Sequence, residues 1–213
     1  MNKKFFLTAV AVVCALNLFA QSYMETFDSN SLEWTERPYK NDVGTALIDK
    51  GVMTVKSFTK VDVSALLGAG VVNTYNTAFE THCYAPLDIK KPFSISSDVT
   101  IKKGDEVGLI FNFKDFGNYY AFAMTEDYVK FIRFENNKCV GSITQGVRWK
   151  KKLNKKLAQN WLLKSDGLTL EFIVNDEPIM KVKHMPLDYT GFGYYTVGQC
   201  ELTIDQVSFT QGL

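Results

Sequence analysis

The chain has 213 residues, of which 46% are hydrophobic, 14% aromatic and 22% charged, and its formal net charge is +1. The length is ample for one domain with a full core, and the charged fraction is close to the average for soluble domains. The abundance of Tyr and Phe favours strands over helices, because aromatic side chains suit a pleated surface.

The first twenty residues have the pattern of a secretory signal peptide. Lys3 and Lys4 form a basic start, and an almost unbroken apolar run follows as far as Ala15. This run is too short to cross a bilayer, which needs ~20 apolar residues. We therefore expect residues 1–20 to be a signal peptide and residues 21–213 to be one secreted or periplasmic domain without a stable membrane span.

Cys14 within the apolar run raises the alternative of a lipoprotein. Val13 is a poor fit to a lipobox, and the apolar run continues past Cys14, so soluble export is preferred. Without the first twenty residues the chain has 22 basic and 23 acidic side chains, a net charge of −1. A near-neutral protein has no general attraction to nucleic acid, so no nucleic-acid partner is predicted, and the oligomeric state is left open.

The exported chain would keep three cysteines, Cys83, Cys139 and Cys200. An odd number allows at most one disulfide, and the pairing is left open. The chain has no Cys-x-x-Cys pair, and His82 and His184 are far apart, so a zinc site is not expected. Small buried apolar cysteines are the favoured interpretation.

The part of the chain before Phe79 is less regular. Residues 45–58 predict a hairpin that turns at Asp49-Lys50-Gly51. Residues 61–76 are apolar but interrupted by glycine, and a strand, a short helix and a covering loop are all compatible with them.

Short segments with alternating apolar side chains follow one another from Phe93 to Phe209. They are FSISSDVTI, EVGLIFNF, NYYAFAM, YVKFIRF, NWLLKS, LTLEFIV, FGYYTV and CELTIDQVSF. A period of two is typical of half-buried antiparallel strands, and strands spaced this way build a sandwich or a barrel. Asp166-Gly167 is the best turn signal, and Asn175-Asp176 is a weaker one. The segment from Cys200 is expected to pair near the N-terminal strand and so protect a sheet edge.

Several motifs of this region occur in an order that is found in a known superfamily. They are Asn118-Tyr119-Tyr120-x-Phe122, Asn160-Trp161-Leu162, Asp166-Gly167, Phe172-x-Val174-Asn175-Asp176, Gly191-Phe192-Gly193-Tyr194-Tyr195 and Ile204-Asp205-Gln206-Val207-x-Phe209. Over roughly residues 23–210 the chain resembles the concanavalin A-like lectin/glucanase superfamily, in particular the LamG-like and sugar-hydrolase-like jelly rolls of exported Bacteroidota proteins. FDSNSLEW, with Phe27 and Trp34, resembles the opening strand of such domains.

The resemblance implies an all-β jelly-roll sandwich of two antiparallel sheets, one convex and one concave. Members bind glycans on the concave face or on rim loops, and some hydrolyse them. The Glu-x-Asp-x-x-Glu catalytic strand of the glucanases is absent, and the nearest candidates, at residues 33–36 and 176–177, have the wrong spacing. We therefore expect a non-catalytic carbohydrate-binding domain, with a glycoside hydrolase and a cell-envelope interaction module as alternatives.

Strand parity assigns side chains to faces. In one strand, Phe79 and Cys83 lie on one face and Glu80, His82 and Tyr84 on the other. In another strand, one face carries Val107, Leu109, Phe111 and Phe113, and the other carries Gly108, Ile110 and Asn112. The polar residues expected to project outward are Glu80, His82, Tyr84, Asp98, Asn112 and Arg133, although Arg133 shares its parity with Val129 and Phe131. We hypothesise that several of them converge on the concave face as a sugar-sized site; an ordinary solvated sheet face is the competing interpretation.

A catalytic pair of carboxyl groups is a more specific alternative for these residues. Glycosidases need two carboxyls ~5–5.5 Å apart when retaining and ~6.5–9.5 Å apart when inverting. Glu80 and Asp98 could form such a pair if their strands are neighbours, but the strand order is not given by the sequence. No catalytic residue is therefore assigned.

Two further features lie outside these strands. Trp149 precedes the lysine-rich residues 150–156. Together they could form an aromatic-edged basic patch that binds an anionic polysaccharide or a membrane surface. The competing interpretation is a solvated edge strand whose lysines block unwanted pairing. Trp34 and Tyr39 lie near a proline-containing loop and could be exposed on the rim. No cofactor is predicted; a structural Ca²⁺ would need oxygen ligands, to which Asp28, Asn30 or Asp205 could contribute.

Overall fold

The computed structural model describes residues 21–37, 43–58, 78–104, 106–125, 127–136, 138–139, 143–148 and 157–212. Within these residues the backbone forms fifteen β-strands. In chain order they are β1 (Gln21–Glu25), β2 (Gly44–Asp49), β3 (Val52–Phe58), β4 (Ala78–Tyr84), β5 (Phe93–Lys103), β6 (Glu106–Asp115), β7 (Asn118–Met124), β8 (Tyr128–Glu135), β9 (Lys138–Cys139), β10 (Ile143–Arg148), β11 (Gln159–Ser165), β12 (Thr169–Val174), β13 (Glu177–Lys183), β14 (Gly191–Val197) and β15 (Gln199–Gln211). No helix in this part of the chain has the length and apolar composition needed to cross a bilayer.

These strands form two antiparallel sheets, which confirms the predicted all-β architecture. The eight-stranded sheet has the order β13-β12-β11-β5-β15-β3-β2, with β1 also paired to β15. The seven-stranded sheet has the order β10-β8-β7-β6-β14-β4, with β9 also paired to β8. The strands predicted between Phe93 and Phe209 all coincide with observed strands.

The main core lies between the two sheets and is built mainly from alternate residues of β2 to β8 and β11 to β15. The ring of Phe122 on β7 stacks on that of Phe172 on β12, with centroids 5.1 Å apart. Trp161 on β11 is completely buried beside Phe172. The ring of Trp161 also lies 6.4 Å from that of Tyr194 on β14, measured between centroids. The contacts of Phe122 with Phe172 and of Trp161 with Tyr194 join opposite sheets, so the apolar alternation read from the sequence becomes the interface that holds the sandwich together.

The predicted turns are confirmed by backbone geometry. Lys50 and Gly51 join β2 to β3 with φ angles of 52° and 76°. Asn175 and Asp176 join β12 to β13 with φ angles of 49° and 63°. Paired positive φ angles match the twist of a tight hairpin, and glycine and asparagine tolerate them well.

The last strand, β15, is the longest of the described strands and is central to its sheet. Its first half pairs with β3 and its second half with β1, where Phe209 lies opposite Tyr23. Along nearly its whole length it also pairs with β5. The expected return of the C-terminal segment to the N-terminal strand is confirmed, and it covers what would otherwise be an open edge.

The predicted opening strand FDSNSLEW is wrong, because this segment is a loop that follows β1. Phe27 has a φ angle of 59°, and its backbone N–H donates to the buried Glu25 carboxylate at 3.0 Å. The backbone N–H of Trp34 donates to Asn30 Oδ1 at 2.6 Å. Side-chain acceptors thus replace ladder hydrogen bonds here. Trp34 is buried and contacts Phe27, so its expected exposure on the rim is also wrong.

The parity predicted for β6 fails at its end. Asn112 has a φ angle of 49°, and the pairing of β6 with β7 shifts between Phe111 and Asp115. This bulge turns Phe113 away from the main core and onto the face that Ile110 occupies. An extra residue in one strand reverses the alternation of side chains between the two faces beyond it. Strand parity read from the sequence cannot anticipate this reversal.

The two cysteines with described side chains fit the interpretation as small buried residues. Cys83 and Cys200 are buried and are in no disulfide. Burial raises the pKa of the Cys83 thiol, which keeps it protonated. The side chain of Cys139 lies outside the described residues, as do the predicted signal peptide, Tyr39 and residues 61–76.

Replacing Phe122 by Ala should lower the free energy of unfolding by about 3–5 kcal/mol, because it removes a completely buried ring that contacts Phe172 across the sheets. Leu168, which is 77% exposed, is the control, and its replacement by Ala should change stability by less than about 0.5 kcal/mol. Urea denaturation followed by tryptophan fluorescence measures both. Equal effects would contradict the assignment of the core.

His184 should make the fold sensitive to acid. The side chain is buried beside Phe93 and contacts Ser165, with His184 Nδ1 3.0 Å from Ser165 Oγ. Burial lowers the pKa of His184, partly offset by Asp166. The unfolded chain therefore binds a proton below about pH 6.5 that the folded chain does not, so stability falls as pH drops through this range.

His184→Gln should flatten this pH dependence. Glutamine keeps a polar group beside Ser165 but cannot titrate, so the fall in Tm between pH 7 and pH 5 should be smaller than in the wild type. Thermal unfolding at the two pH values tests this, and an unchanged fall in Tm would show that acid acts elsewhere.

Candidate functional site

The seven-stranded sheet has an outer face, turned away from the main core, on which polar and apolar side chains are aligned by strand register. Two rows of partners cross it. The first is Glu80, Tyr195, Gly108, Ala123 and Lys130, and the second is His82, Gly193, Ile110, Ala121 and Ile132. Directly opposed residues in antiparallel strands share a face, so these rows place three ionisable groups and one tyrosine on one surface.

Much of this outer face is a second apolar cluster. Phe113, Tyr119 and Phe134 are buried, and the rings of Tyr119 and Phe134 stack with centroids 5.1 Å apart. The ring of His82 lies 4.7 Å from that of Phe113, measured between centroids. Charged groups on the same face therefore have apolar neighbours, and each needs a polar partner.

Glu80 on β4 is the first such group. Its Oε1 accepts from Arg37 Nη2 at 2.5 Å, and its Oε2 lies 2.6 Å from His82 Nδ1. A carboxylate can only accept here, so the imidazole tautomer with a proton on Nδ1 fits this contact. Arg37 is brought to β4 by the backbone, because Thr35 N donates to the carbonyl of His82 at 2.8 Å.

Glu106 on β6 is the second charged group on this face that has polar partners. Its Oε1 accepts from the hydroxyl of Tyr195 at 2.8 Å, and its Oε2 lies 2.7 Å from Lys130 Nζ. Gly108 makes the first contact possible, since a Cβ atom there would lie 2.6 Å from the Tyr195 ring. Burial and the neighbouring Glu106 raise the pKa of Tyr195, so its hydroxyl remains a donor.

The two carboxylates are therefore engaged as acceptors. The side chains of Glu80 and Glu106 are only 4% and 8% exposed. All four of their oxygen atoms already accept from a side chain of the protein. Paired in this way, they hold the donors of this face in place and are poorly placed to exchange protons with a substrate.

The accessible part of the site is at the β4 edge of the face. Tyr84 is 69% exposed and its ring packs edge-on against His82, with centroids 6.0 Å apart. The side chain of Arg37 is 39% exposed. Tyr84, His82 and Arg37 thus form a surface, here named the β4 edge, that offers one aromatic ring and two nitrogen-bearing planar groups. The aromatic ring can cover a sugar ring, the guanidinium can donate to its hydroxyls, and Nε2 of the imidazole can accept from one.

Three of the predicted site residues come together in this surface. Glu80, His82 and Tyr84 share one face, as strand parity predicted. Asp98 is on β5 of the other sheet, where Asn160 Nδ2 and Gln206 Nε2 donate to it at 3.0 Å and 2.7 Å. The expectation that Asp98 joins the others is wrong. The alternative in which Asp98 and Glu80 form a carboxyl pair is excluded, because the two lie on opposite sides of the sandwich.

Asn112 and Arg133 also lie elsewhere. Asn112 is buried, and in the amide orientation that satisfies both of its neighbours it accepts from the backbone N–H of Leu187 at 3.3 Å and donates to the carbonyl of Tyr189 at 3.2 Å. Arg133 lies over the Tyr120 ring at 5.5 Å and pairs with Glu135. Both side chains stabilise connections at the side of the sandwich, so their predicted place on a shared sugar-binding face is wrong.

The remaining candidates are not placed by the structure. Trp149 and the lysine-rich residues 150–156 lie outside the described residues. For a metal, the described residues contain no group of three His, Cys, Asp or Glu side chains suited to hold an ion. Asp28 accepts from Thr26 Oγ1 at 2.9 Å, and Asn30 bonds the backbone of Trp34.

Sequence reasoning missed four contributors to this face: Arg37, Glu106, Lys130 and Tyr195. Glu106 has the same parity as Gly108 and Ile110, so the alternation of β6 could have identified it. Lys130 is likewise at an outward position of β8. The contact between Arg37 and Glu80 joins residues 43 positions apart in the chain and has no local signal.

No protein-family model matches the chain, and no curated protein matches it. Among solved structures, the catalytic domain of an endo-1,3-β-glucanase (laminarinase) from Thermotoga petrophila superposes with a TM-score of 0.58 at 13% identity, covering 91% of this chain and 98% of that one. The Bacillus licheniformis β-glucanase has a TM-score of 0.56 at 11% identity, covering 89% and 98%. The Emp47p carbohydrate recognition domain has a TM-score of 0.58 at 10% identity, covering 90% and 95%.

The protein has the concanavalin A-like jelly-roll fold. Near-complete coverage of both chains supports this, together with the two antiparallel sheets. The fold resemblance inferred from the order of the sequence motifs is thereby confirmed. At these identities the likeness concerns architecture, and function has to be argued from the residues of the face itself.

Lys130→Met should destabilise this concanavalin A-like domain by about 1–3 kcal/mol. The variant leaves the buried carboxylate of Glu106 without its cation. Because the Lys130 side chain is 38% exposed, solvent weakens the ion pair, and the expected loss of stability is correspondingly moderate. Adding Glu106→Gln should recover much of the loss, because the unpaired charge is then gone. Lys183→Met, at an exposed position of β13, is the control. Chemical denaturation of the wild type, Lys130→Met, Glu106→Gln, the double variant and the control measures the coupling, and strictly additive losses would contradict it.

Proposed function

We propose that the protein is an exported, non-catalytic glycan-binding domain, with residues 1–20 as a cleaved signal peptide and residues 21–213 as the binding domain. The single observation that carries the proposal is the β4 edge, where the exposed ring of Tyr84 stands beside His82 and the partly exposed Arg37. Glu80 acts from beneath as the shared acceptor that orients both donors.

The chemistry of the β4 edge fits a sugar. An exposed aromatic ring on a strand is a rigid apolar platform for the apolar face of a pyranose. The guanidinium is a planar donor, and Nε2 of an imidazole that carries its proton on Nδ1 is an acceptor, so the two groups can hydrogen-bond adjacent sugar hydroxyls. Glu80 limits their motion, so fewer side-chain rotamers have to be ordered when a ligand binds.

Proteins of the same fold add support of a general kind. They include a domain described as a carbohydrate recognition domain and several described as glucanases. Neutral glucans and mucin glycans are therefore reasonable first ligands, since structures described as a β-1,3-1,4-glucanase and as mucin O-glycanases also share the fold.

Hydrolysis is the second candidate, because Glu80 and Glu106 put two carboxylates on one sheet face. Against it, each oxygen of both carboxylates already accepts from a protein side chain. A general acid must hold a proton that it can pass to the leaving oxygen, and a base needs an oxygen open to water. Binding without cleavage is the better account.

A glycan array followed by a reducing-sugar release assay on laminarin, barley β-glucan, xyloglucan and mucin tests the proposal. Binding without release is the expected result. Release that is lost in Glu80→Gln or Glu106→Gln would favour the hydrolase. Neither binding nor release would contradict both and favour an interaction module of the cell envelope.

Tyr84→Ala should weaken binding to the best array ligand by at least about tenfold, because an aromatic anchor at a binding surface is typically worth about 2 kcal/mol or more. The Tm should stay within about 2 °C of the wild type, since the ring is exposed. Isothermal titration calorimetry and thermal unfolding measure the two effects.

Tyr128→Ala is the matched control. Tyr128 is an exposed tyrosine on β8, four strands away from β4 in the same sheet, or about 19 Å at the usual strand spacing. It should bind the same ligand within about twofold of the wild type. A Tyr84 variant that binds like this control would place the ligand away from the β4 edge.

A further inference from the structure

The eight-stranded sheet carries a cleft of its own, on the other side of the sandwich from the β4 edge. It lies where β15 begins, between β3 and β5, and has a volume of about 220 Å³. This is below the ~300 Å³ at which pockets for drug-sized molecules begin, so it has room for one sugar ring or a small acid. Lys56, Lys103, Gln199 and Glu201 contribute to its lining.

Strand register places a lysine on each side of this cleft. Glu201 on β15 pairs with Lys103 on β5 and with Lys56 on β3. Neighbouring strands are ~4.8 Å apart, so the two lysine stems stand about 10 Å apart with Glu201 between them. Both ammonium groups can therefore approach a ligand that is centred over Glu201.

The charges in this row are not balanced. Lys56 Nζ lies 3.2 Å from Glu201 Oε1, whereas Lys103 Nζ donates to the amide oxygen of Gln199 at 2.7 Å. The three ionisable side chains together carry a net charge of +1. An anion that displaced the amide oxygen from Lys103 would replace a neutral acceptor by a charged one, and charge-assisted hydrogen bonds are the stronger kind.

We propose that this cleft binds an acidic residue of a glycan, through a carboxylate or sulfate group that contacts Lys103 and Lys56. The carboxylate of Glu201 then accepts from ring hydroxyls, and the amide of Gln199 accepts from them or donates to them. The sugar ring in this proposal rests on the proposed glycan-binding function, whereas the preference for an anion rests on the lysines alone. The cleft is a second site, because the β4 edge belongs to the opposite sheet.

The test uses three tetrasaccharides as probes: tetragalacturonate, its methyl ester, and a sulfated galactan oligosaccharide. The ester keeps the rings and removes the charge. Lys103→Gln should weaken binding of at least one acidic probe by about tenfold and leave the ester within about twofold of the wild type. Lys56→Gln should act in the same direction, and Lys164→Gln, which removes an exposed lysine from the same sheet, should have no effect. Titration calorimetry at two salt concentrations measures all of these.

Which acidic probe responds distinguishes carboxylate from sulfate recognition. If Lys103→Gln and Lys56→Gln both bind the acidic probes as the wild type does, the proposal is overturned. If sodium sulfate at equal concentration displaces the acidic probes completely, the cleft takes free anions and the glycan part is overturned. Tyr84→Ala separates the two sites: its failure to weaken neutral glycan binding would count against the β4 edge and leave the lysine result intact.

Discussion

The seven-stranded sheet buries side chains on both of its faces, and this constraint governs the rest of the molecule. Strands β6 and β14 are buried almost throughout, one parity against the eight-stranded sheet and the other in the outer cluster around Ile110 and Phe113. A sheet in this position tolerates a charged group only when it has partners. Glu80 and Glu106 satisfy that condition with two donors each.

The pairing of these carboxylates also determines what the face can do. Small residues in the first cross-strand row, Gly108 and Ala123, leave space for the Tyr195 ring and the Lys130 side chain to reach Glu106. The centre of the face is thus occupied by internal contacts. An exposed aromatic ring and a partly exposed guanidinium lie at the β4 edge, which is where the proposed binding site is placed.

The two candidate binding regions follow from the same architecture seen from opposite sides. An antiparallel sheet aligns every second residue of neighbouring strands, so a few long polar side chains at one level become a row. In the seven-stranded sheet, Glu80 and His82 are two residues apart on β4 and so share a face, and Arg37 extends this row of contacts from outside the sheet. In the eight-stranded sheet it produces the row of Lys103, Glu201 and Lys56. One row has an exposed aromatic ring beside it, and the other borders a cleft.

The amino-acid sequence by itself determined the strands, the hairpin turns and the shared face of Glu80, His82 and Tyr84, because these depend on alternation and on residues that accept positive φ angles. It could not determine strand order, which separates Asp98 from them. Nor could it determine the bulge at Asn112 or the arrival of Arg37 beside Glu80. Those features arise from contacts between residues distant in the chain, whose geometry exists only once both sheets have formed.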